Sequence, residues 1–134
     1  MTTFATLLLV EDDEDLREVI SLALDRDARR VVTAEHGLAA LEHILTYGLP
    51  DLILLDMNMP TMSGWQLAEE LSTRGLWRVP VIVLTASHDA KRSAQEIGAT
   101  GYLGKPFEMA VLAAAVDRLL READTAARDE HASH

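Results

Sequence analysis

Carboxylate, hydroxyl and ammonium groups follow the apolar stretches of this sequence, and together they have the chemistry to bind and accept a phosphoryl group. Asp56 follows the apolar run 52–55, and acids at 11–13 follow an earlier apolar run. Thr85 and Lys105 follow two later apolar runs. Because the carboxyl ends of parallel strands meet at one edge of a sheet, we expect these groups to converge there. The acids suit a hard cation, and a carboxylate such as Asp56 suits nucleophilic attack on phosphorus.

Composition narrows the class of protein. The 134 residues are 49% hydrophobic and 25% charged, which is typical of one globular domain with its own core. Twelve basic residues against 22 acidic ones give a net charge of −10, which argues against direct binding of nucleic acid. The absence of cysteine excludes disulfide and thiolate chemistry. No apolar stretch is long enough to span a bilayer, so we expect a cytoplasmic protein without a membrane partner.

The elements that must position these groups alternate along the chain. Apolar runs predict strands over 6–10, 30–34, 51–55, 79–84 and 101–103. Helical periodicity fills the intervals, with a first helix starting near 13 or 14 and others over 38–47, 65–74, 89–97 and about 111–120. This alternation predicts an α/β fold with a five-stranded parallel sheet covered on both faces. We expect one domain over 1–121 and a short, polar, flexible tail over 122–134.

Four segments of the chain carry a family resemblance. They are LLLVEDDEDLR, DLILLDMNMPTMSGWQL, VPVIVLTAS and GATGYLGKPF, each at a predicted strand end. In order and spacing the chain resembles the response-regulator receiver domains of two-component signalling over residues 6–121. The resemblance implies a doubly wound, flavodoxin-like (βα)5 fold with strand order 2-1-3-4-5. It also implies a signalling module rather than a turnover enzyme, with self-phosphorylation from small donors and autodephosphorylation.

The resemblance assigns the acids to acceptance and metal binding. Asp56 matches the phosphoacceptor, and Asp12 matches a direct ligand of Mg²⁺, for which Mn²⁺ can substitute. Asp56 and the backbone carbonyl of Asn58 complete the implied ligand set, with Glu11 reaching the ion through water. Such a small set suits Mg²⁺, which keeps several of its waters.

The resemblance assigns the remaining groups to phosphoryl binding and switching. Thr85, Ala86 and Lys105 match the phosphoryl-binding positions, and Lys105–Pro106 matches a cis peptide bond. Thr85 and Tyr102 match a switch pair, in which the phosphoryl group draws the hydroxyl inward and the aromatic ring follows. Ordinary structural roles are the alternatives. Asp56 could simply begin a turn before the next proline, and Thr85 and Tyr102 could be strand residues that never move.

The implied function is that of a stand-alone response regulator. It would take its phosphoryl group from a histidine kinase or phosphotransfer protein and change its affinity for an unknown downstream protein. The contact surface would be the face around the fourth helix, fifth strand and fifth helix. A phosphorelay intermediate or a phosphate sink is the alternative role. Many DNA-binding members carry two acids that support dimerisation where this chain has Thr100 and Gly101, so we expect a monomer or weak dimer.

Two other classes of protein compete with this interpretation. A haloacid-dehalogenase-like aspartyl-phosphate hydrolase also uses an aspartate nucleophile with Mg²⁺. That class usually has a second aspartate where this chain has Asn58, and it needs a cap for which the sequence has no spare length. A phosphorylation-independent adaptor would not be expected to keep the whole set of acids, hydroxyl and lysine.

Overall fold

A parallel sheet forms the centre of the molecule, which is known from a computed structural model that describes residues 4–26, 28–86 and 88–132, with side chains through 125. In this part of the chain the strands are β1 (Ala5–Val10), β2 (Arg29–Ala34), β3 (Leu52–Asp56), β4 (Val81–Ala86) and β5 (Gly101–Lys105). Their spatial order is β2-β1-β3-β4-β5, and every neighbouring pair is parallel. The predicted fold class and strand order are confirmed.

Helices cover both faces of this sheet. Within the described residues they are α1 (Glu14–Leu24), α2 (Gly37–Tyr47), α3 (Gly64–Thr73), α4 (Ala90–Ile97) and α5 (Met109–Ala132). The Asp13 side chain accepts a hydrogen bond at the start of α1, and Ser63 and Gln66 form a capping box at the start of α3. The Nδ1 atom of His36 caps the start of α2, a role that is unusual for histidine and was not predicted from the sequence. The strands differ from the predicted bounds by no more than two residues at either end.

Alternation along the strands divides the apolar residues between two cores. Leu8 and Val10 of β1 face the layer of α2, α3 and α4, whereas Leu7 and Leu9 face the layer of α1 and α5. The runs in β1 and β3 are apolar throughout because both faces of these central strands are buried. A sheet held from both sides gives the residues at its carboxyl edge a rigid base.

The last helix is longer than predicted. We expected the last helix to end near 120, but α5 continues as one helix through Ala132, and residues 133 and 134 lie outside the described part. The flexibility expected of the tail over 122–134 stays a prediction. The segment is rich in alanine and also contains glutamate, both good helix formers, and it contains no glycine or proline that would end a helix. Arg118 and Glu122 also form an i,i+4 ion pair at 3.9 Å. Polarity alone was therefore a poor guide here.

Among the described residues, no helix combines the length and apolar character needed to cross a membrane.

Candidate functional site

The predicted site residues come together at the carboxyl edge of the sheet. Asp56 is the last residue of β3, and Thr85 and Ala86 end the neighbouring strand β4. Lys105 ends β5 and lies directly opposite Ala86 in the strand register. Glu11 and the next acid follow β1, on the other side of β3. Adjacent parallel strands thus deliver all of these groups to one place.

Three carboxylates form the acidic half of the site. Glu11, Asp12 and Asp56 each offer one oxygen, and these oxygens all lie within 4.8 Å of one another. Glu11 is 0% exposed and Asp56 is 4% exposed, whereas Asp12 is open to solvent. Three anionic oxygens at this spacing repel one another unless a cation or a proton intervenes. Their number and chemistry fit Mg²⁺, which takes few protein carboxylates and retains water.

The Asp56 carboxyl has a strongly perturbed acidity. Burial is the largest cause, and with the negative charge of Glu11 it raises the pKa of Asp56 from 3.8 to about 7. The hydrogen bond with Asp12 raises this pKa further, whereas the Lys105 charge and the backbone N–H of Asn58 lower it. The nucleophilic, ionised form of Asp56 therefore needs a positive partner near neutral pH.

Lys105, at the end of β5, supplies positive charge to this acidic cluster. Its Nζ lies 2.6 Å from Oε1 of Glu11 and 3.6 Å from Oδ2 of Asp56. Burial lowers the pKa of Lys105, but the hydrogen bond to Glu11 and the charge of Asp56 outweigh burial, so the net pKa is raised. The Lys105–Pro106 peptide bond is cis, the geometry that the resemblance implied.

Glu11 has more contacts than sequence reasoning anticipated. Its Oε2 accepts a hydrogen bond from the backbone N–H of Asp13 at 3.1 Å, and its Oε1 binds Lys105. Its carbonyl oxygen accepts from Nη1 of Arg17 at 2.8 Å. Glu11 is therefore a direct partner of Lys105. Arg17, a residue that we had not singled out, ties the first turn of α1 back to the loop that carries the acids. The sequence signal that could have indicated this role of Arg17 was a basic residue within the acidic start of α1.

Thr85 lies in contact with the loop that follows Asp56. The Thr85 side chain is 1% exposed, and its Oγ1 accepts a hydrogen bond from Nδ2 of Asn58 at 3.0 Å. The backbone N–H of Asn58 donates to Oδ1 of Asp56 at 3.2 Å. Asn58 thus contacts both the carboxylate and the hydroxyl. The side-chain contact was not predicted, because it joins two strands that are far apart in sequence.

Two further predicted residues border the site. Ala86, with Lys105, lines a cleft of about 730 Å³ that runs between α1 and the segment after β5, and its small side chain leaves the edge of the sheet open. Tyr102 lies in β5 beside Val83 and is 47% exposed, so its ring is not packed into the core. The structure places Tyr102 near the site without a hydrogen bond to Thr85.

A close approach of backbone to backbone shapes the loop after Asp56. The N–H of Gly64 donates to the carbonyl of Met57 at 3.0 Å. A β-carbon at 64 would lie 2.6 Å from Sδ of Met57, 2.9 Å from Cα of Met57 and 3.0 Å from the carbonyl oxygen of Asp56. Met57 itself is fully buried. Glycine is needed here to bring the loop close, and its backbone is not in the left-handed region.

Gly64→Ala is therefore expected to destabilise the protein by about 1–3 kcal/mol, because backbone atoms must move to admit the methyl group. Urea unfolding followed by tryptophan fluorescence measures the change. Gly101→Ala is the matched control, since a β-carbon there would meet only Cγ1 of Ile82, at 4.0 Å. Equal losses of stability in the two variants would contradict the close-approach explanation.

Comparison with known proteins identifies the family. Residues 7–117 match the response regulator receiver domain. The transcriptional regulatory protein CseB of Streptomyces coelicolor is 38% identical over 117 residues, which make up 86% of this chain and 49% of that protein. The phosphate regulon transcriptional regulatory protein PhoB of Pseudomonas aeruginosa is 37% identical over 119 residues, 87% of this chain and 52% of that protein. The chain thus spans about half the length of these curated relatives.

Solved structures agree with the sequence comparison. The chemotaxis response regulator CheY4 of Vibrio cholerae superimposes with a TM-score of 0.77 and 31% identity, covering 87% of this chain and 99% of that one. Receiver domains are phospho-signalling switches, and a phosphorylated aspartate with bound Mg²⁺ is typical of them. Because the family match covers most of the sequence, this chain belongs to the response regulator receiver domain family and is a switch rather than a turnover enzyme.

Proposed function

We propose that this protein accepts a phosphoryl group on Asp56 and that the modification changes its affinity for a partner protein. One observation carries the proposal. A buried carboxylate with a pKa near 7 lies at the end of β3, in a cluster with two further acids and an ammonium group 3.6 Å away. That arrangement suits a nucleophile which must receive a group more negative than itself.

The transfer step uses the ionised form of Asp56. One carboxylate oxygen forms a bond to phosphorus as the bond from phosphorus to the donor breaks, and the product is an aspartyl phosphate. From a phosphohistidine the broken bond is P–N, and the imidazole keeps the electron pair and takes up a proton. From acetyl phosphate the broken bond is P–O and acetate leaves. Water attack on the aspartyl phosphate then releases inorganic phosphate and restores the Asp56 carboxylate.

The acidic cluster would hold a divalent cation. Asp12, Asp56 and the backbone carbonyl of Asn58 are the proposed direct ligands of Mg²⁺, with Mn²⁺ as a substitute. When bound, the ion would offset the charge that gathers on the phosphoryl oxygens during transfer. Glu11 is proposed to act through water, and its contact with Lys105 keeps its carboxylate oriented at the edge of this site.

Lys105, Thr85 and Ala86 would receive the phosphoryl group once it is attached. The ammonium of Lys105 lies between Glu11 and Asp56 and needs only a small displacement to pair with phosphoryl oxygens. The Thr85 hydroxyl is proposed to donate to one of these oxygens. Ala86, at the next position of β4, leaves room for the donor to approach.

The switch would run from Thr85 to Tyr102. Movement of the hydroxyl toward the phosphoryl group would open space beside β5, and the exposed ring of Tyr102 would turn into it. The surface around α4, β5 and α5 would then change its affinity for a partner. A ligand shifts such an equilibrium only by its differential affinity for the two states. The phosphoryl group satisfies this condition because only the inward hydroxyl would contact it.

The donor would be a histidine kinase or a phosphotransfer protein, and the proposed role is that of a single-domain regulator. The curated relatives named above are transcriptional regulators about twice as long as this chain. In this role the output would be a separate protein, whereas the transfer chemistry proposed at Asp56 concerns the receiver alone. A phosphorelay intermediate and a phosphate sink share the same site, and the lifetime of the aspartyl phosphate separates them from a persistent signal.

The direct test is incubation with acetyl phosphate and Mg²⁺, followed by intact mass over time. One phosphoryl group, lost gradually after the donor is removed, is the expected result. A folded protein that acquires no adduct, beside a control receiver that does, would contradict the proposal.

Asp12→Asn is expected to weaken Mg²⁺ binding about tenfold or more, because it removes a negative charge from the cluster and replaces a strong oxygen ligand with a weaker one. Titration of the tryptophan fluorescence with Mg²⁺ at pH 8 measures the affinity. Asp15→Asn is the matched control, since this exposed acid of α1 lies outside the cluster. If both variants weaken binding equally, the effect is general electrostatics and Asp12 is not a ligand.

A further inference from the structure

We propose that the side-chain amide of Asn58 is a positioning group for phosphoryl transfer, acting through the hydroxyl of Thr85. This inference rests on the proposed function, in which Thr85 binds a phosphoryl oxygen. The amide Nδ2 of Asn58 donates to Oγ1 of Thr85 at 3.0 Å, from the loop after β3 to the end of β4. The resemblance implies a role only for the backbone carbonyl of Asn58, whereas its side chain reaches the hydroxyl on the adjacent strand.

The direction of this hydrogen bond determines where the hydroxyl proton can go. A threonine hydroxyl has one proton to donate and two lone pairs that accept. Because Nδ2 of Asn58 occupies a lone pair of Oγ1, the proton of Thr85 cannot point toward the amide. It remains free to be donated to another acceptor, which in the proposed function is a phosphoryl oxygen on Asp56. The opposite amide orientation would make Thr85 the donor to Asn58 and would withdraw that proton from the phosphoryl group.

The backbone of the loop holds the amide in this position. The N–H of Asn58 donates to Oδ1 of Asp56 at 3.2 Å, so the residue is anchored to the nucleophile itself. The preceding residue, Met57, is fully buried and its carbonyl accepts from Gly64 at 3.0 Å. Asn58 therefore couples the nucleophile and the hydroxyl through a short segment whose backbone is hydrogen-bonded at Met57 and at its own N–H.

Without the amide, the Thr85 hydroxyl should keep a hydrogen-bond partner but lose its fixed orientation. Asn58 is exposed, so water can replace its side chain in Asn58→Ala. Water can either donate to Thr85 or accept from it, and only the first arrangement leaves the proton free. We therefore expect Asn58→Ala to slow phosphorylation about threefold to tenfold, the range for one neutral hydrogen bond.

A double-mutant cycle tests whether Asn58 acts through Thr85. Phosphorylation by acetyl phosphate is timed by intact mass at saturating Mg²⁺, so that altered metal affinity does not enter the rate. Asn58→Ala is measured in the wild-type background and together with Thr85→Ser or Thr85→Val. Serine keeps the hydroxyl and valine removes it, so the slowing should persist with Thr85→Ser and vanish with Thr85→Val. Urea unfolding of each variant confirms that folded proteins are compared.

Each result decides the inference. Equal slowing in the Thr85→Val background would overturn it, because the amide would then act without the hydroxyl. An unchanged or faster rate for Asn58→Ala with Thr85 intact would also overturn it, the faster rate indicating the reversed amide. If the wild-type protein acquires no adduct at all, the proposed function fails and the inference fails with it. If the wild type acquires the adduct but the effects of the Asn58 and Thr85 substitutions are additive, the inference fails and the proposed function stands.

Discussion

Asp56→Asn is expected to abolish the phosphoryl adduct while the fold remains intact. Asparagine has nearly the shape of aspartate, so the end of β3 and its contacts should persist. The amide oxygen lacks the negative charge needed for attack on phosphorus, and no acyl phosphate can form at this position. Glu11 is not expected to replace Asp56 as acceptor, because its carboxylate is 0% exposed and its two oxygens bind Lys105 and the N–H of Asp13.

Intact mass after incubation with acetyl phosphate and Mg²⁺ measures the adduct, and circular dichroism with tryptophan fluorescence reports the fold. Asp15→Asn, at an exposed position of α1, is the control for loss of one acid and should be phosphorylated like the wild type. A full-stoichiometry adduct on Asp56→Asn would show that the acceptor had been assigned to the wrong residue.

The second large effect is a fall in stability as pH rises in the absence of Mg²⁺. The pKa of Asp56 is raised to about 7 in the folded protein, mainly by burial, against 3.8 as its ordinary value. Between these values the folded state holds a proton that the unfolded state has released. Stability therefore decreases from about pH 4 to about pH 7 and then levels off. The shift of Asp56 corresponds to at most about 4 kcal/mol, an upper bound because Asp56 lies in one cluster with the charges of Glu11 and Lys105.

Mg²⁺ should reverse this loss above pH 7, because a cation stabilises the ionised cluster that the bare protein disfavours. Asp56→Asn has no carboxylate charge to bury, so without Mg²⁺ it should be more stable than the wild type at pH 8 and close to it at pH 4. Urea unfolding at several pH values, with EDTA or with Mg²⁺, gives the free energy of unfolding for both proteins. If the free energy of unfolding changes with pH in the same way in wild type and variant, ionisation of Asp56 is not the cause of the lost stability.

Much of the fold could be predicted because its signals are local. The runs 7–10 in β1 and 52–55 in β3 are apolar at every position, which indicates strands buried on both faces. The helices between the strands keep their apolar periodicity. The predicted end of the last helix near 120 was wrong, because helix propensity carries α5 through Ala132 despite the polarity of the segment. The His36 cap was missed since histidine is not a usual capping residue.

The site was predicted less completely than the fold. That Asp56, Thr85 and Lys105 would meet follows from one rule, since each ends a strand and parallel strands end at one edge. Which of them touch does not follow from that rule. The 2.6 Å contact of Lys105 with Glu11 depends on strands at different places in the sheet and on the turn after β5.

The sequence by itself determined the class of fold, the convergence of acids, hydroxyl and ammonium at one edge, and the family to which the chain belongs. Only the tertiary structure decided that Glu11 holds Lys105, that Asn58 donates to Thr85, and that burial raises the pKa of Asp56. Residue types and their spacing specify which groups reach the edge of the sheet. Hydrogen bonds and pKa values depend on distances of a few ångströms between side chains of different strands, and those distances exist only once the chain has packed.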